Sequence, residues 1–302
     1  MTAQTIVAIF IPATLAVIMF TMGLGLRVVD FKRVMVEPTA VAVGLVNQLV
    51  VLPAAGFLLA WAFALPPPMA VGFVLITACP GGPSSNLYSN LARGDTALSV
   101  TLTALSGVAT MVTIPFVVGL ALDTFMGTAT DITIDVGSTV VQLLFIVGVP
   151  LALGMFVRAH RPTKAEVAEK HLKRVAVGLL LVLIIGAIAK ERTRVAEQFT
   201  TLGIPVLVLS LGTIMLGLLS ALAFRLPLRQ AVTIGIEVGM QNAALGIGLA
   251  INVLGSEEIA MPAVVYGILA YFTCAVALAI GRRFIPHHDA PAAPAPARRR
   301  AS

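Results

Sequence analysis

Long apolar stretches, separated by short charged segments, follow one another along most of the chain. A helix that crosses the hydrocarbon core of a bilayer needs about 20 mostly apolar residues. Nine stretches each predict one spanning helix: 5–26, 39–65, 68–92, 96–122, 137–157, 175–189, 202–224, 231–254 and 259–280. The sixth is short, so Arg174 and Lys190 at its ends have to reach outward to the bilayer surface. The pattern therefore predicts an all-α membrane protein with nine transmembrane helices.

Composition agrees with a surface that faces lipid. Hydrophobic residues make up 58% of the 302-residue chain and charged residues 11%, and the mean hydropathy is +1.00. Soluble domains carry about 25% charged residues, so this chain has too few to cover a water-facing surface. The membrane domain is expected to span 1–285. Residues 286–302 are rich in Pro, Ala and Arg and predict a disordered cytoplasmic tail.

The distribution of Lys and Arg predicts the orientation in the membrane. If the N-terminus lies outside, 17 of the 20 Lys and Arg residues fall on the cytoplasmic side, and Lys190, Arg192 and Arg194 fall outside. Cytoplasmic loops carry an excess of positive charge, so we expect the N-terminus outside and the C-terminus in the cytoplasm, in the cytoplasmic (inner) membrane. The net charge of +6 is then a signal of topology in a lipid bilayer. It implies no nucleic-acid partner, and no obligate protein partner is indicated.

Two of the predicted spans contain residues that interrupt a helix. The third carries the run Cys79–Asn86 (CPGGPSSN), in which Pro80 and Pro83 remove backbone donors. The eighth carries Glu237–Asn242 (EVGMQN), where Gly239 permits unwinding. The breaks lie five spans apart, so the two spans run in opposite directions through the bilayer. Discontinuous helices in this relation predict an inverted-repeat transporter with two crossed helices, and ordinary helix kinks are the alternative.

Glu237 is the one acidic residue, of 14, that lies well inside a predicted span. A charged carboxylate at the centre of a bilayer costs at least about 2.5–3.5 kcal/mol. No Lys, Arg or His lies in any predicted span to pair with it. Three interpretations follow: a bound cation, a bound proton, or a protonated acid with a structural role.

Further polar side chains lie where they could join Glu237 around a hard cation such as sodium. They are Gln48 in the second span, Ser85 and Asn86 at the first break, Ser99 and Thr103 in the fourth span, and Gln241 and Asn242 at the second break. Ser99 and Thr103 are four residues apart and share one face of a helix. Each hydroxyl could instead bond to a carbonyl of its own helix.

Other chemistries find little support in the sequence. Cys79 and Cys274 lie in apolar stretches, and the four histidines lie in charged loops or the tail, so we expect no transition-metal site. A nucleophilic role for Ser84 or Ser85 would need a base, and no His or Lys lies in any predicted span. The chain is therefore not expected to be an enzyme.

The two interrupted spans carry motifs that resemble those of the bile acid:sodium symporter family, in particular its bacterial members. These motifs are the run Cys79–Asn86, the segment Leu91–Ser99 (LARGDTALS) and the segment Ile236–Asn242 (IEVGMQN). The resemblance extends over nearly the whole chain. It implies a core domain that contains the two crossed discontinuous helices, a separate panel domain, and nine or ten helices.

The resemblance also implies two sodium ions that share Glu237. The first site would use Ser85, Asn86, Ser99, Thr103 and Glu237. The second would use Gln48, Gln241 and Glu237 with the backbone carbonyls of Val238 and Met240. The substrate would lie at the crossover beside Pro83, Ser84 and Asn242. Helix N-termini at that point favour a carboxylate.

Two positions depart from the relatives and affect the expected substrate. Pro83 stands where bacterial relatives often have a hydroxyl residue. Ala270 and Tyr271 stand where some relatives have a His-Asn pair associated with bile-acid contact. The resemblance therefore implies a sodium-coupled symporter of a small organic anion, either a pantoate-like or other carboxylate or a bile acid, that works by alternating access. A proton-coupled or uncoupled carrier of organic anions is the alternative.

Overall fold

A computed structural model describes residues 3–127, 136–190 and 192–286. The helices in these ranges are α1 Ala3–Gly25, α2 Val28–Val36, α3 Pro38–Val46, α4 Leu52–Ala62, α5 Pro67–Ala78, α6 Pro83–Leu91, α7 Thr96–Phe125, α8 Val136–Leu143, α9 Val149–His160, α10 Pro162–Lys190, α11 Arg192–Ala223, α12 Leu228–Gly239, α13 Ala243–Asn252 and α14 Glu257–Phe284. Two π-helical turns, Asn47–Val51 and Leu144–Gly148, join α3 to α4 and α8 to α9. Of the predicted tail, residues 287–302 lie outside the described residues, and their disorder stays a prediction.

Each predicted span coincides with a helix or with a pair of consecutive helices. Five helices are long and apolar enough to cross a membrane: Pro38–Ala62, Thr96–Phe125, Gly137–His160, Gln198–Ala223 and Glu257–Phe284. Pro12–Gly25 and Val28–Val36, bent by 59°, make a sixth if they count as one span. The protein is thus α-helical with several membrane-crossing helices, and the count of nine spans stays a prediction.

The charged segment between the fifth and sixth predicted spans, expected as a loop, is helical. α9 ends at His160 and α10 begins at Pro162, so Arg161 alone forms the turn. Proline suits the first position of a helix because its missing N–H has no partner to lose there. Pairing of Glu169 with Lys173 one turn later, at 2.6 Å, adds support. α10 therefore extends the short sixth span well beyond its apolar part.

A short amphipathic helix, α2, lies between the first two predicted spans. Met35 on its apolar face is 86% exposed, whereas Arg33 on the opposite face turns inward. Arg33 lies 2.6 Å from Asp95 at the start of α7 and 3.1 Å from Glu37. These ion pairs hold the connection against α7.

Two prolines follow the points at which spanning helices widen into π-helical turns. Pro53 and Pro150 each follow a π-helical turn. In the first turn, the Leu52 N–H donates to the Asn47 carbonyl, five residues back. A wider turn moves a carbonyl away from the proline ring, which would clash with it in a regular helix. The first π-turn contains Gln48. Four other prolines stay inside continuous helices: Pro12, Pro115, Pro205 and Pro262.

The helices pack in two groups. α1 packs against α9 and α10, whereas α5, α7, α11, α12 and α14 pack against one another. In the first group, Gly154 allows close approach, because a Cβ there would overlap the Phe20 carbonyl of α1. In the second group, fully buried Phe73 and Tyr266 lie in the main apolar core. The interrupted helices belong to this second group.

Candidate functional site

Both predicted helix breaks are present. Residues 79–82 separate α5 from α6, and residues 240–242 separate α12 from α13. Pro83 takes the first position of α6, as its fixed φ and missing N–H favour. Asn242 caps α13, and its Oδ1 accepts the Leu245 N–H at 3.1 Å. The prolines and glycines of the first break and the Gly-Met-Gln-Asn run of the second thus end and restart each helix.

The two breaks cross at one point and bond to each other. The Gly82 N–H donates to the Met240 carbonyl at 2.7 Å, and the Asn242 N–H donates to the Pro80 carbonyl at 2.9 Å. Irregular backbone at membrane depth needs partners inside the protein, because lipid offers none. The crossing supplies them, and so fixes the two half-helix N-termini beside each other.

Gly81 brings the first break against the side chain of Glu237. A Cβ on Gly81 would overlap Glu237 Oε1, so no other residue fits without displacing the carboxylate. The glycine that interrupts α5–α6 therefore also makes room for the acid of α12.

Glu237 lies near the end of α12 and is 1% exposed. Its Oε2 accepts the Ser99 hydroxyl at 2.8 Å, and its Oε1 accepts the Thr103 hydroxyl. Both hydroxyls thus point at the carboxylate. None of the ion pairs among the described residues involves Glu237. Ser89 of α6, which the sequence analysis did not single out, donates to Ser99 Oγ at 3.3 Å and extends this polar cluster.

Ser85 and Asn86, at the start of α6, face the same region. The buried Ser85 hydroxyl donates to the Gly82 carbonyl at 2.8 Å and lies close to the Glu237 carboxylate. The Asn86 Oδ1 is buried and accepts no hydrogen bond from the described residues. A buried acceptor without a donor is costly, and a cation is one group that satisfies it.

Gln48 reaches from the first π-turn to the second break. Its Nε2 donates to the Cys79 carbonyl at 3.0 Å and to Gln241 Oε1 at 2.5 Å. The Gln241 Nε2 donates in turn to the Val238 carbonyl at 2.7 Å. The Met240 carbonyl accepts a backbone N–H across the crossing, and Gln48 Oε1 is buried with no partner among the described residues. The residues predicted for the second sodium site therefore lie together, and they are joined by hydrogen bonds to one another.

The Gly239 carbonyl, freed where α12 ends, is a feature that sequence reasoning missed. It accepts hydrogen bonds from the hydroxyls of Tyr266 at 2.8 Å and Ser210 at 3.3 Å, and Cys274 Sγ lies 3.7 Å away. Each donor is an isolated residue in an apolar helix, so no sequence pattern marks it. Together they fix the broken end of α12 against α11 and α14.

A cavity of about 570 Å³ lies beside the crossover. Its lining from the broken helices and α7 includes Pro83, Ser84, Asn86, Thr103, Met240, Gln241 and Asn242. Another part of the lining comes from α1 and α10 and includes Thr21, Met22, Glu169 and Lys173. The Tyr271 hydroxyl lies 3.1 Å from Ser84 Oγ, and the buried Nδ2 of Asn242 has no partner among the described residues. The three residues expected beside a substrate thus line one cavity.

This arrangement suits a hard cation next to an organic anion. The carboxylate, hydroxyl and amide oxygens around Glu237 are ligands that such cations prefer. In the part of the chain that the structure describes, no group of three or more His, Cys, Asp or Glu side chains is placed to hold a metal ion. The half-helix N-termini at the cavity favour negative charge. The site therefore has one part that suits a cation, around Glu237, and a neighbouring part that suits an anion, in the cavity.

Comparisons with known proteins agree with this arrangement. The model of a family described as the sodium bile acid symporter family matches residues 12–198. An uncharacterized sodium-dependent transporter of Bacillus subtilis (strain 168), YocS, is 33% identical over 247 residues, which cover 82% of this chain and 75% of the relative.

Two more distant relatives come from a plant and from humans. The probable chloroplastic sodium/metabolite cotransporter BASS1 of Arabidopsis thaliana is 28% identical over 272 residues, 90% of this chain and 66% of the relative. The ileal sodium/bile acid cotransporter of Homo sapiens is 29% identical over 236 residues, 76% of this chain and 66% of the relative. The chain thus spans about two thirds of the length of these two relatives.

Proposed function

The chain belongs to the sodium bile acid symporter family, and from that membership we propose that it carries a small organic anion across the cytoplasmic membrane, coupled to sodium, by alternating access. The expected resemblance is confirmed, and so is the prediction that the chain is not an enzyme, because the matched family and relatives are transporters. The observation that supports sodium coupling most is the buried Glu237 carboxylate at the crossing of two broken helices.

The first ion lies against Glu237, Ser99 and Thr103, with Ser85 and Asn86 completing its shell. Supporting this, two hydroxyls already converge on the carboxylate, and the Asn86 oxygen is buried without a donor. Each hydroxyl oxygen has lone pairs that can bind a cation while its proton stays hydrogen-bonded to the carboxylate. The ion offsets the cost of a buried negative charge, which no described Lys, Arg or His does.

The second ion lies between Gln48, Gln241, Glu237 and the carbonyls of Val238 and Met240. Binding there requires that Gln48 and Gln241 exchange their mutual hydrogen bond for contacts to the ion. The unpartnered Oε1 of Gln48 supports this exchange, because turning it to a cation satisfies a buried acceptor. Both ions share Glu237, so the two sites are coupled by one carboxylate.

The organic anion lies in the cavity, with a carboxylate near Pro83, Ser84 and Asn242. The N-termini of α6 and α13 carry positive partial charge there. The unpartnered Asn242 Nδ2 is a further donor for a carboxylate oxygen. A volume of about 570 Å³ accommodates a small metabolite. A pantoate-like or other small carboxylate fits best, and a bile acid is the larger candidate suggested by the name of the human relative.

The membrane domain, residues 1–285, has nine spans with the N-terminus outside. The group of α1 and α8–α10 is the panel, and the group that contains the broken helices is the core. The cavity lies between them and is lined by Glu169 and Lys173, which belong to the segment expected on the cytoplasmic side. Rocking of the panel against the core closes this side and opens the other.

Uptake into proteoliposomes tests the function and separates it from its alternative. Purified protein is given candidate carboxylates with an inward sodium gradient, with an inward proton gradient in sodium-free buffer, or with neither. Accumulation that needs the sodium gradient supports the symporter. Accumulation driven by the proton gradient without sodium, or equilibration that ignores both gradients, would instead establish the proton-coupled or uncoupled carrier.

A further inference from the structure

Charged side chains of α9 and α10 form a short series that ends in the cavity. Glu169 and Lys173 of α10 are the charged residues among the described cavity lining. The Lys173 Nζ lies 2.6 Å from Glu169 Oε1, and Arg158 Nη1 lies 3.8 Å from Glu169 Oε2. Of the two cations that face Glu169, Lys173 is the one that lines the cavity. Lys173 therefore offers a positive charge to an anion in the cavity.

The three residues differ in their freedom to change partners. The Lys173 side chain is 54% exposed, whereas those of Glu169 and Arg158 are 15% and 9% exposed. Lys173 has a long, flexible side chain and can turn from Glu169 to a ligand in the cavity. Glu169 then stays paired, because the buried Arg158 lies on its other oxygen with an Nη1 that makes no hydrogen bond to the described residues. Releasing Lys173 leaves no buried carboxylate without a cation.

The crossover side of the cavity also favours negative charge. The N-termini of α6 and α13 meet there, and the Nδ2 of Asn242 is buried without a partner. A molecule with one acidic group can lie at the crossover or pair with Lys173. A molecule with two acidic groups can do both.

We propose that Lys173 binds a second acidic group of the substrate and that the substrate is a small dicarboxylate. One carboxylate lies at the crossover, and the other takes the place of Glu169 on Lys173. This inference rests on the proposed function, since it specifies the anion that occupies the proposed transport cavity. It makes Lys173 a specificity-determining residue on the panel side of the cavity.

Binding of matched acids to the purified full-length protein in sodium chloride tests the inference. The probes are succinate, glutarate and adipate, each compared with the monocarboxylate of the same length: butyrate, valerate and hexanoate. The variants are Lys173→Gln, which removes the charge, and Lys173→Arg, which keeps it. Lys170→Gln is the matched control, because Lys170 lies on the same helix, is exposed and does not line the cavity.

We expect at least one dicarboxylate to bind the wild type about tenfold more tightly than its monocarboxylate partner. Lys173→Gln should lose most of the preference for the dicarboxylate, whereas Lys173→Arg and Lys170→Gln should retain it. Equal binding of the paired acids by the wild type, or an unchanged preference in Lys173→Gln, would overturn the inference and leave the proposed function standing. If sodium stabilises the protein but no acid of either kind binds, both the dicarboxylate and the carboxylate substrate are wrong.

Discussion

The Ser99 hydroxyl donates to Glu237 Oε2 at 2.8 Å, across 138 positions of sequence. This contact joins the continuous helix α7 to the broken helix α12. One turn further along α7, Thr103 donates to the other oxygen of the same carboxylate. α7 therefore orients the carboxylate. Small shifts of α12 against α7 change the distances between the carboxylate and the two hydroxyls.

Removing either hydroxyl beside Glu237 should weaken sodium binding with little effect on folding. Ser99→Ala and Thr103→Val each delete one oxygen from the proposed first site while keeping similar shape. We expect the sodium concentration for half-maximal uptake to rise about tenfold, which corresponds to about 1.4 kcal/mol. Sodium titration of uptake in proteoliposomes measures this. Ser106→Ala is the control, because that buried hydroxyl on the same helix bonds to the Thr103 carbonyl at 3.3 Å; an equal effect of all three variants would contradict a ligand role.

A methyl group on Gly81 should disable the site through the backbone. Gly81→Ala puts a Cβ against Glu237 Oε1, so the carboxylate has to move from the two hydroxyls that hold it. Sodium-dependent uptake should fall to background. Gly119→Ala is the control, since a Cβ there meets nothing within 4 Å. Normal sodium dependence in Gly81→Ala would show that the observed position of the carboxylate is not needed.

Gln48 should determine whether a second sodium ion binds. In the wild type, uptake should rise with sodium concentration in a sigmoidal curve with a Hill coefficient approaching about 2. Gln48→Leu removes both the buried oxygen and the bond to Gln241, so the coefficient should fall to about 1. Gln142→Leu, at an exposed glutamine of α8, should leave the curve unchanged. A sigmoidal curve that persists in Gln48→Leu would exclude this residue from the second site.

Asp95 should contribute to stability and not to ion binding. It accepts the Leu98 N–H at 3.0 Å as the cap of α7, and it pairs with Arg33 at 2.6 Å. Asp95→Ala should therefore lower the free energy of unfolding by about 1–3 kcal/mol. The extra thermal stability gained in sodium should remain, because Asp95 does not contact Glu237. Asp123→Ala, at an exposed acid near the end of α7, is the control for charge alone; loss of the sodium effect in Asp95→Ala would link this network to the ion sites.

Strong local signals made the helix breaks and the buried acid predictable from the sequence. Proline and glycine in Cys79–Asn86 remove backbone donors and helical preference, so the interruption could be placed to within a few residues. Glu237 stood out because a carboxylate inside an apolar stretch is costly wherever the chain folds. The boundaries of most helices followed from the lengths of the apolar stretches, because a spanning helix needs about 20 apolar residues.

Contacts between distant helices could not be predicted in this way. Arg33 and Asp95 lie 62 positions apart, and both look like ordinary charges at the ends of spans. The hydroxyl of Tyr266 on the Gly239 carbonyl depends on how α14 packs against the broken end of α12. The cavity role of Lys173 was missed because its segment was expected as a loop, whereas α10 carries it to the wall of the cavity.

The most direct test of the sodium site is the thermal stability of the purified protein in sodium chloride and in potassium chloride at equal ionic strength. An ion that binds only the folded protein raises its stability, by about 2.7 kcal/mol at 100 times the Kd. A sodium site built on Glu237 predicts a higher Tm in sodium for the wild type, and the same Tm in both salts for Glu237→Ala and Glu237→Gln. Equal Tm values in both salts for the wild type, or a sodium-specific rise that survives in both variants, would contradict an ion site built on Glu237.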